Sequence, residues 1–340
     1  MSNLLTASRM KCYRECRRKH KLMYLDGWRP VKEADALRFG SLMHEGLEAW
    51  WSTRSLAATL GAVDARGIDD FEQAKAEELL RGYHTRWIGT ADYHTVTVEE
   101  SFYAPLVNPD TMASSRTWKL GGKVDAIAVK DGRPVLIEHK TTSESVKPES
   151  DYWAKLCMDY QISHYHIGAE ALGHEVEACI YDVIHKPTIR PWKATPEDKR
   201  KYKQDGTLYA NLRECDETAG EYGVRLAADI KANPDAYYQR REIVRTERDM
   251  REYLADLWAT AKTMREEELA DRAPRNPDAC HRFGTCWAWD HCAFGLQLED
   301  YPERFTQSSN VHPELEEKEV TSHEQDESQE REIQPRRSAG

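Results

Sequence analysis

Residues 122–142 carry the sequence GKVDAIAVKDGRPVLIEHKTT, the most informative stretch of the chain. Two apolar runs, AIAV and PVLI, flank an Asp-Gly pair at positions 131–132, an arrangement that strongly indicates a β-hairpin. Asp125 lies near the start of the first strand, whereas Glu138 and Lys140 lie on the second. Since alternate residues of a strand point to one face, Glu138 and Lys140 should lie side by side, with Asp125 approaching across the hairpin.

These three charged residues predict a catalytic site. They interrupt apolar neighbours, and burying charge costs free energy unless the charge is paired or binds a metal. Asp125 and Glu138 would hold Mg²⁺ or Mn²⁺, which prefer oxygen ligands and act as Lewis acids in phosphodiester hydrolysis. Lys140 would orient the nucleophile or compensate charge on the scissile phosphate. The same spacing also occurs by chance, in which case Glu138 and Lys140 form an ordinary surface salt bridge.

The segments around the hairpin alternate between helical and extended patterns. We expect helices over residues 42–51 (capped by Ser41), 70–87, 152–171 and 248–269, and strands over 94–106, 176–185 and 237–246. Residues 186–234 are polar and irregular, and we treat them as an insertion with short helical pieces. This order predicts an α/β fold in which helices flank a small mixed β-sheet.

The sequence also excludes several classes of protein. No run of about 18 apolar residues is present, so no membrane-spanning helix is predicted. The N-terminal sequence MSNLLTASRMKC lacks the apolar core of a secretory signal, and we expect a protein of the bacterial or phage-infected host cytoplasm without a membrane partner. No G-x-x-x-x-G-K-[ST] phosphate loop occurs, so the chain encodes no NTP-driven motor.

Charge is distributed unevenly along this chain, whose formal net charge is −11 at pH 7. Residues 310–340 carry nine acidic and four basic residues, and we expect an acidic, disordered tail over residues 307–340 beyond a folded domain of residues 1–306. Residues 9–21 instead carry seven basic residues and one acid. This basic segment either grips phosphates or forms a solvated helix face.

Four motifs together resemble the RecB-like branch of the PD-(D/E)XK nucleases. That branch includes the nuclease domains of RecB and AddB and the CRISPR-associated and phage RecB-like exonucleases. The motifs occur here in the family's order: G-x-x-x-H-E at residues 40–45, GKVDAI around Asp125, E-x-K at residues 138–140, and Q-x-x-x-Y from Gln161 to Tyr165. The resemblance implies a restriction-endonuclease-like core and a nuclease activity.

The resemblance also assigns roles to individual residues. His44 is implied to be a third metal ligand, and the backbone carbonyl of His139 is implied to contact the same Mg²⁺ or Mn²⁺. Gln161 and Tyr165 lie one helical turn apart, on one face of a helix, and are implied to line the active site and contact DNA. Each residue type alone has an ordinary explanation, since a lone histidine is more often a surface residue than a ligand.

Four cysteines extend the resemblance. Cys280, Cys286 and Cys292 lie near the end of the predicted domain, and Cys16 lies far upstream. The iron-sulfur members of the family have one cysteine before and three after the nuclease motifs, which implies a [4Fe–4S] cluster that joins the two ends of the domain. The ligand types suit four-cysteine zinc equally well. Both gaps in the C-terminal trio contain five residues, whereas the family often has a C-x₂-C pair, and Cys12 is an alternative upstream ligand.

Three functions follow from these features. The first is an Mg²⁺- or Mn²⁺-dependent deoxyribonuclease, an exonuclease or DNA-end-processing enzyme in recombination, repair or phage DNA metabolism. It would act on single-stranded DNA or DNA ends, supplied by a separate helicase or recombinase. The second is a non-catalytic nucleic-acid-binding iron-sulfur or zinc module, and the third is a structural metal protein acting through its acidic tail. The complete set of Asp125, Glu138 and Lys140 favours the enzyme, because a binding module does not need all three.

Overall fold

The computed structural model describes residues 3–32, 34–64, 68–90, 93–282 and 284–315. The strands are β1 Leu4–Leu5, β2 Trp28–Pro30, β3 Tyr93–Val107, β4 Ser114–Lys130, β5 Arg133–Thr142, β6 Ala178–His185, β7 Tyr238–Val244 and β8 Phe305–Gln307. The α-helices are α1 Ala7–Glu15, α2 Arg17–His20, α3 Asp35–Thr53, α4 Leu56–Asp64, α5 Asp70–Trp87, α6 Asp151–Lys155, α7 Tyr160–Ala171, α8 Ala219–Ala232, α9 Pro234–Tyr237, α10 Glu247–Leu269 and α11 Trp289–Phe294. None of the helices in these ranges is long and apolar enough to cross a membrane.

A six-stranded sheet of mixed polarity forms the centre of the molecule. Strands β4 and β5 pair antiparallel, β5 pairs parallel with β6, and β6 pairs antiparallel with β7. On the other side, β3 runs antiparallel along β4, and the short β1 pairs parallel with part of β4. A second, two-stranded sheet joins β2 to β8. The predicted α/β fold with a mixed sheet is confirmed.

The β4–β5 hairpin closes at the predicted Asp-Gly turn. Lys130 pairs with Arg133, so only two residues form the connection. Both have positive φ, 51° at Asp131 and 80° at Gly132, which is typical of the type I′ turn that matches strand twist. This short turn fixes the register of β4 against β5.

Helices cover both faces of the sheet, and each face has its own apolar core. On the first face, α3, α5 and α8 pack on small and β-branched strand residues, and the largest members of that core include Trp50, Trp51, Leu79, Tyr83 and Tyr222. On the second face, α6 and α7 pack on the alternate strand residues, including Val124, Leu136 and Tyr181. Successive residues of β5 therefore point alternately to the two cores, because side chains alternate between the two faces of a strand.

Two of the predicted helices differ from those observed. Helix α3 begins at Asp35, not after Ser41, because the buried Phe39 extends its apolar stripe by one turn towards the N-terminus. The helix predicted over residues 152–171 is divided into α6, a 3₁₀ turn and α7. Asp159 lies at the break, where its side chain accepts a hydrogen bond from the backbone N–H of Gln161 and caps α7.

The basic segment of residues 9–21 joins the N-terminal helices to the end of α10. Arg9 pairs with Glu268 (3.1 Å), Arg17 with Glu267 (3.0 Å) and Lys21 with Asp271 (2.5 Å). Arg9 is fully buried and also donates to His20. These three cations are therefore paired with acidic residues of the same chain, an outcome that differs from both expectations from the sequence.

The described chain continues past residue 306, the predicted domain boundary, as far as Leu315. Gln307 pairs with Trp28 in the two-stranded sheet, and Thr6 donates a hydrogen bond to Glu314 (2.7 Å). Most of the predicted acidic tail, residues 316–340, lies outside the described residues.

Candidate active site

The hairpin and helix α7 bring six of the residues predicted for the site together, and hydrogen bonds link four of them in one chain and the other two as a pair. The backbone N–H of His139, between Glu138 and Lys140, donates to Oδ2 of Asp125 (2.7 Å). Lys140 forms an ion pair with Glu138 and donates to Oε1 of Gln161 (3.1 Å). Gln161 in turn donates to the hydroxyl of Tyr165 (3.0 Å).

Glu138 occupies an unusual electrostatic environment. Its carboxylate is buried, and within the described part of the chain its Oε2 atom has no hydrogen-bond partner. Burial raises the pKa of Glu138 most, the charge of Asp125 raises it further, and Lys140 lowers it by less. A buried carboxylate oxygen without a donor is the kind of atom that a cation stabilises.

For Lys140, the neighbouring charges have a larger effect on the pKa than burial has. Burial lowers the pKa of its ammonium group, but the nearby carboxylates of Glu138 and Asp125 outweigh that effect and hold the pKa above its usual value. Lys140 is therefore a fixed positive charge at neutral pH. Such a group is suited to compensating phosphate charge and not to accepting a proton.

A second group of possible metal ligands lies next to Asp125. Nδ1 of His44, on α3, is 3.8 Å from Oδ2 of Asp125. His44, Glu99 and Asp125 each offer one ligand atom, and these atoms lie within 4.8 Å of one another. Asp125 also raises the pKa of Glu99 as well as that of Glu138, second to burial in each case. Asp125 therefore lies between two further carboxylates.

Glu99 is a candidate ligand that the sequence analysis missed. It lies on β3 between the pairs Val98–Ala126 and Glu100–Val124, which puts it opposite Asp125. Its backbone φ is 53°, and Lys123 holds its carboxylate at 2.5 Å. In the sequence, Glu99 is recognisable only as an acidic residue within a predicted strand. That pattern does not show which residue of the neighbouring strand lies opposite Glu99.

The ring of His139 points to the opposite face of the sheet from Glu138. There it takes part in a ladder of polar side chains at matching register on three strands, His139 on β5, Asp182 on β6 and Arg240 on β7. Nδ1 of His139 is 3.4 Å from Asp182, and Arg240 is 3.1 Å from the same carboxylate. Tyr83 also donates to Asp182 (2.5 Å). Although burial raises the pKa of Asp182, Arg240 and His139 more than reverse this and hold it well below its usual value.

The four predicted cluster cysteines come from segments that contact each other. Asn276, four residues before Cys280, donates to the carbonyl of Glu15, next to Cys16 (2.8 Å). The backbone N–H of Cys286 donates to the carbonyl of Cys280 (2.8 Å). Burial raises the pKa of Cys292, Arg18 lowers it, and the other three cysteines raise it further, which places all four within electrostatic reach.

Cys12, the alternative upstream ligand, has a different environment. Its thiol is buried and lies 3.8 Å from the sulfur of Met23. Burial raises its pKa to about 12, so it is held as a neutral thiol in an apolar contact.

Comparisons with known proteins give a family match over most of the chain. The family model of the PD-(D/E)XK nuclease superfamily matches residues 4–294. No curated protein matches. A crystal structure from Eubacterium rectale, described as a "Putative exonuclease", is 11% identical with a TM-score of 0.43 and covers 86% of this chain and 94% of its own. The crystal structure of SSO0001 is 16% identical with a TM-score of 0.25 and covers 68% of this chain and 77% of its own.

Proposed function

Because the chain belongs to the PD-(D/E)XK nuclease superfamily, we propose that it is an Mg²⁺- or Mn²⁺-dependent deoxyribonuclease. The observation that carries this proposal is the buried carboxylate of Glu138, whose Oε2 atom has no donor among the described residues, beside Asp125 and Lys140. A cation there would offset the cost of burying two carboxylates. The same cation is what phosphodiester hydrolysis requires next to the scissile phosphate.

Several groups of this chain fit such a cation. His44, Glu99 and Asp125 offer convergent ligand atoms, Glu138 adds a carboxylate from the neighbouring strand, and the backbone carbonyl of His139 is a further candidate. The donors are mainly oxygen atoms, which suits Mg²⁺ and Mn²⁺. When bound, the cation supplies Lewis acidity and lowers the pKa of bound water.

The remaining residues of the site act on the substrate. Lys140, positively charged at neutral pH, compensates charge that develops on the scissile phosphate and stays oriented by Glu138 and Gln161. Tyr165 holds the amide of Gln161 from the other side. Gln161 and Tyr165 thereby form a polar face of α7 along which a DNA strand contacts the site.

The four cysteines support a further proposal, a [4Fe–4S] cluster held by Cys16, Cys280, Cys286 and Cys292. Burial raises the pKa of Cys286 and Cys292, the neighbouring cysteines raise it further, and the cations Lys19 and Arg18 lie close enough to offset part of this. Positive charge of this kind favours the thiolates that either iron or zinc requires. Anaerobically purified protein should absorb visible light, whereas a colourless protein containing stoichiometric zinc would exclude the cluster.

We also propose a biological role for the enzyme. We place the enzyme in the bacterial or phage-infected host cytoplasm, as an exonuclease or end-processing nuclease of recombination, repair or phage DNA metabolism. The recognisable motifs of residues 1–306 include no NTP-binding loop, so a separate helicase or recombinase would supply single-stranded DNA or DNA ends.

One assay tests the nuclease function directly. End-labelled single- and double-stranded DNA is incubated with the protein and Mn²⁺, beside Lys140→Ala and the exposed control Lys262→Ala. We expect wild type and Lys262→Ala to cut, and Lys140→Ala to be slower by at least about a hundredfold. If all three proteins leave the DNA intact, the enzyme proposal fails. DNA binding without cutting would then favour the non-catalytic nucleic-acid-binding module.

A further inference from the structure

The first part of the insertion after β6 is basic, although the chain as a whole is acidic. Residues 186–213, the basic insertion, carry eight basic and three acidic residues in a chain of net charge −11. Three aromatic side chains within it are about half exposed, Trp192, Tyr202 and Tyr209. Exposed aromatic rings next to cations are the combination with which proteins bind single-stranded nucleic acid.

A short hairpin at the tip of the basic insertion arranges these groups. Tyr202 pairs antiparallel with Leu208, and Lys203 donates from its backbone to Thr207 (2.7 Å). The backbone N–H of Tyr209 donates to Lys201 (3.3 Å). Since side chains alternate between the faces of paired strands, Lys201, Lys203 and Tyr209 share one face and Tyr202 lies on the other.

The cations on that face are available to a ligand. Within the described ranges of the chain, Lys201 and Lys203 form no ion pair, and both are exposed. This contrasts with the basic segment of residues 9–21, where Arg9, Arg17 and Lys21 are paired with acids of α10 and the turn after it. The basic insertion is therefore the better place to bind phosphates.

The base of the insertion is fixed, so the hairpin is presented on an ordered support. Buried Glu217 accepts hydrogen bonds from Arg225 and from the backbone of Trp192 (2.7 Å). Arg225 also lies over the Trp192 ring, 4.1 Å from its centroid. Trp192 is thus held by these contacts, which leaves Tyr209 as the exposed ring on the lysine face.

The insertion leaves the sheet beside the candidate active site. It starts after His185, which pairs with Thr142, two residues beyond Lys140 on β5. The backbone N–H of Lys186 donates to the carbonyl of Thr142 (2.7 Å). The insertion therefore begins next to the end of the strand that carries Glu138 and Lys140.

We propose that the face of Lys201, Lys203 and Tyr209 binds single-stranded DNA and holds the strand whose neighbouring part enters the nuclease site. The lysines contact phosphates, and Tyr209 stacks on a base. This inference rests on the proposed nuclease function for its purpose, but the binding itself does not depend on cleavage.

The test measures binding and cleavage separately. Fluorescence anisotropy with a labelled oligothymidylate in chelator-containing buffer gives affinity at several salt concentrations without cutting. The variants are Tyr209→Ala, Tyr209→Phe and Lys201→Ala/Lys203→Ala. The matched controls are Tyr202→Ala, an equally exposed tyrosine on the opposite face, and Lys231→Ala/Lys262→Ala, two exposed lysines elsewhere. Cleavage of the same oligonucleotide with Mn²⁺ gives kcat and KM, and circular dichroism verifies folding of every variant.

We expect Tyr209→Ala to weaken binding about tenfold, and Tyr209→Phe to keep wild-type affinity because stacking needs only the ring. The double lysine variant should reduce the slope of log affinity against log salt by about 1.4, from two lost phosphate contacts. Tyr209→Ala and the double lysine variant should each raise KM and leave kcat unchanged.

Equal affinity of Tyr209→Ala, Tyr202→Ala and wild type for the oligonucleotide would overturn the inference, even if the enzyme cuts DNA. If wild type binds the oligonucleotide but does not cut it, and Tyr209→Ala binds about tenfold more weakly, the result would support this surface and reject the nuclease.

Discussion

At the level of single residues, the site brings the carboxylates of Glu138, Asp125 and Glu99 close together. Burial raises the pKa of both Glu138 and Glu99, Asp125 raises each further, and the paired cations Lys140 and Lys123 lower them. Glu138 and Lys140 were predictable from sequence, because a strand's alternation of side chains is a local property. Glu99 was not, because its place opposite Asp125 depends on how two strands pair.

Glu99→Gln tests whether Glu99 belongs to the metal site. Gln keeps the shape and removes the charge, so Mn²⁺ affinity measured by calorimetry should fall at least about tenfold. Glu100→Gln, at the adjacent position on β3, is the matched control and should bind Mn²⁺ like wild type. Equal affinity of Glu99→Gln and Glu100→Gln would remove Glu99 from the ligand set and leave His44, Asp125 and Glu138.

His164 gives a prediction about pH. It is buried, bonded to the hydroxyl of Tyr253 (2.7 Å) and the carbonyl of Gly121 (3.0 Å), and burial lowers its pKa to about 4 from the ordinary value of 6.5. The unfolded chain therefore takes up this proton first, so stability present at neutral pH is lost as the pH falls from 6.5 towards 4.

The variant His164→Gln isolates the contribution of His164 to this pH dependence, because glutamine does not titrate. Between pH 7 and pH 5 the free energy of unfolding of wild type should fall by about 2 kcal/mol more than that of the variant. Urea unfolding at the two pH values measures the difference. Parallel losses in the two proteins would mean that His164 is not held neutral by the fold.

At the level of secondary-structure elements, turns were easier to predict than strand register. The Asp-Gly turn fixes β4 against β5 within two residues. By contrast, β3 and β4 shift register between the pairs Pro105–Lys119 and Val107–Ser114. If the register of the Val107–Ser114 pair continued unchanged along β3, Glu99 would lie opposite Gly122 instead of Asp125. No local sequence pattern indicates the shift, so among the strands only the hairpin residues of the site could be predicted.

The ladder across β5, β6 and β7 should stabilise the sheet beneath the site. Asp182→Ala leaves Arg240 buried without its carboxylate, which should lower the free energy of unfolding by about 3–5 kcal/mol. The double variant Asp182→Leu/Arg240→Met removes both charges and should lose less. Urea denaturation compares them, and a double variant as unstable as the sum of its single variants would show that the two charges do not interact.

At the level of the whole molecule, the N-terminal helices and the chain after α10 form one body. Three ion pairs join residues 9–21 to the end of α10, and the cysteine segments meet beside them. Composition revealed the basic segment but not its partners, because Glu267, Glu268 and Asp271 lie some 250 residues away in sequence. Cysteine spacing predicts a shared metal centre at the same place, and that centre stays a prediction.

Cys286→Ser tests whether a metal centre holds these ends together. Metal binding contributes folding free energy that offsets the entropy of closing a loop of this length. We therefore expect the variant to be poorly soluble, with a midpoint of thermal unfolding at least about 5 °C lower. Cys157→Ser, an exposed cysteine outside the proposed cluster, is the control and should match wild type. A stable, active and metal-free Cys286→Ser protein would mean that packing and the three ion pairs suffice to join the ends.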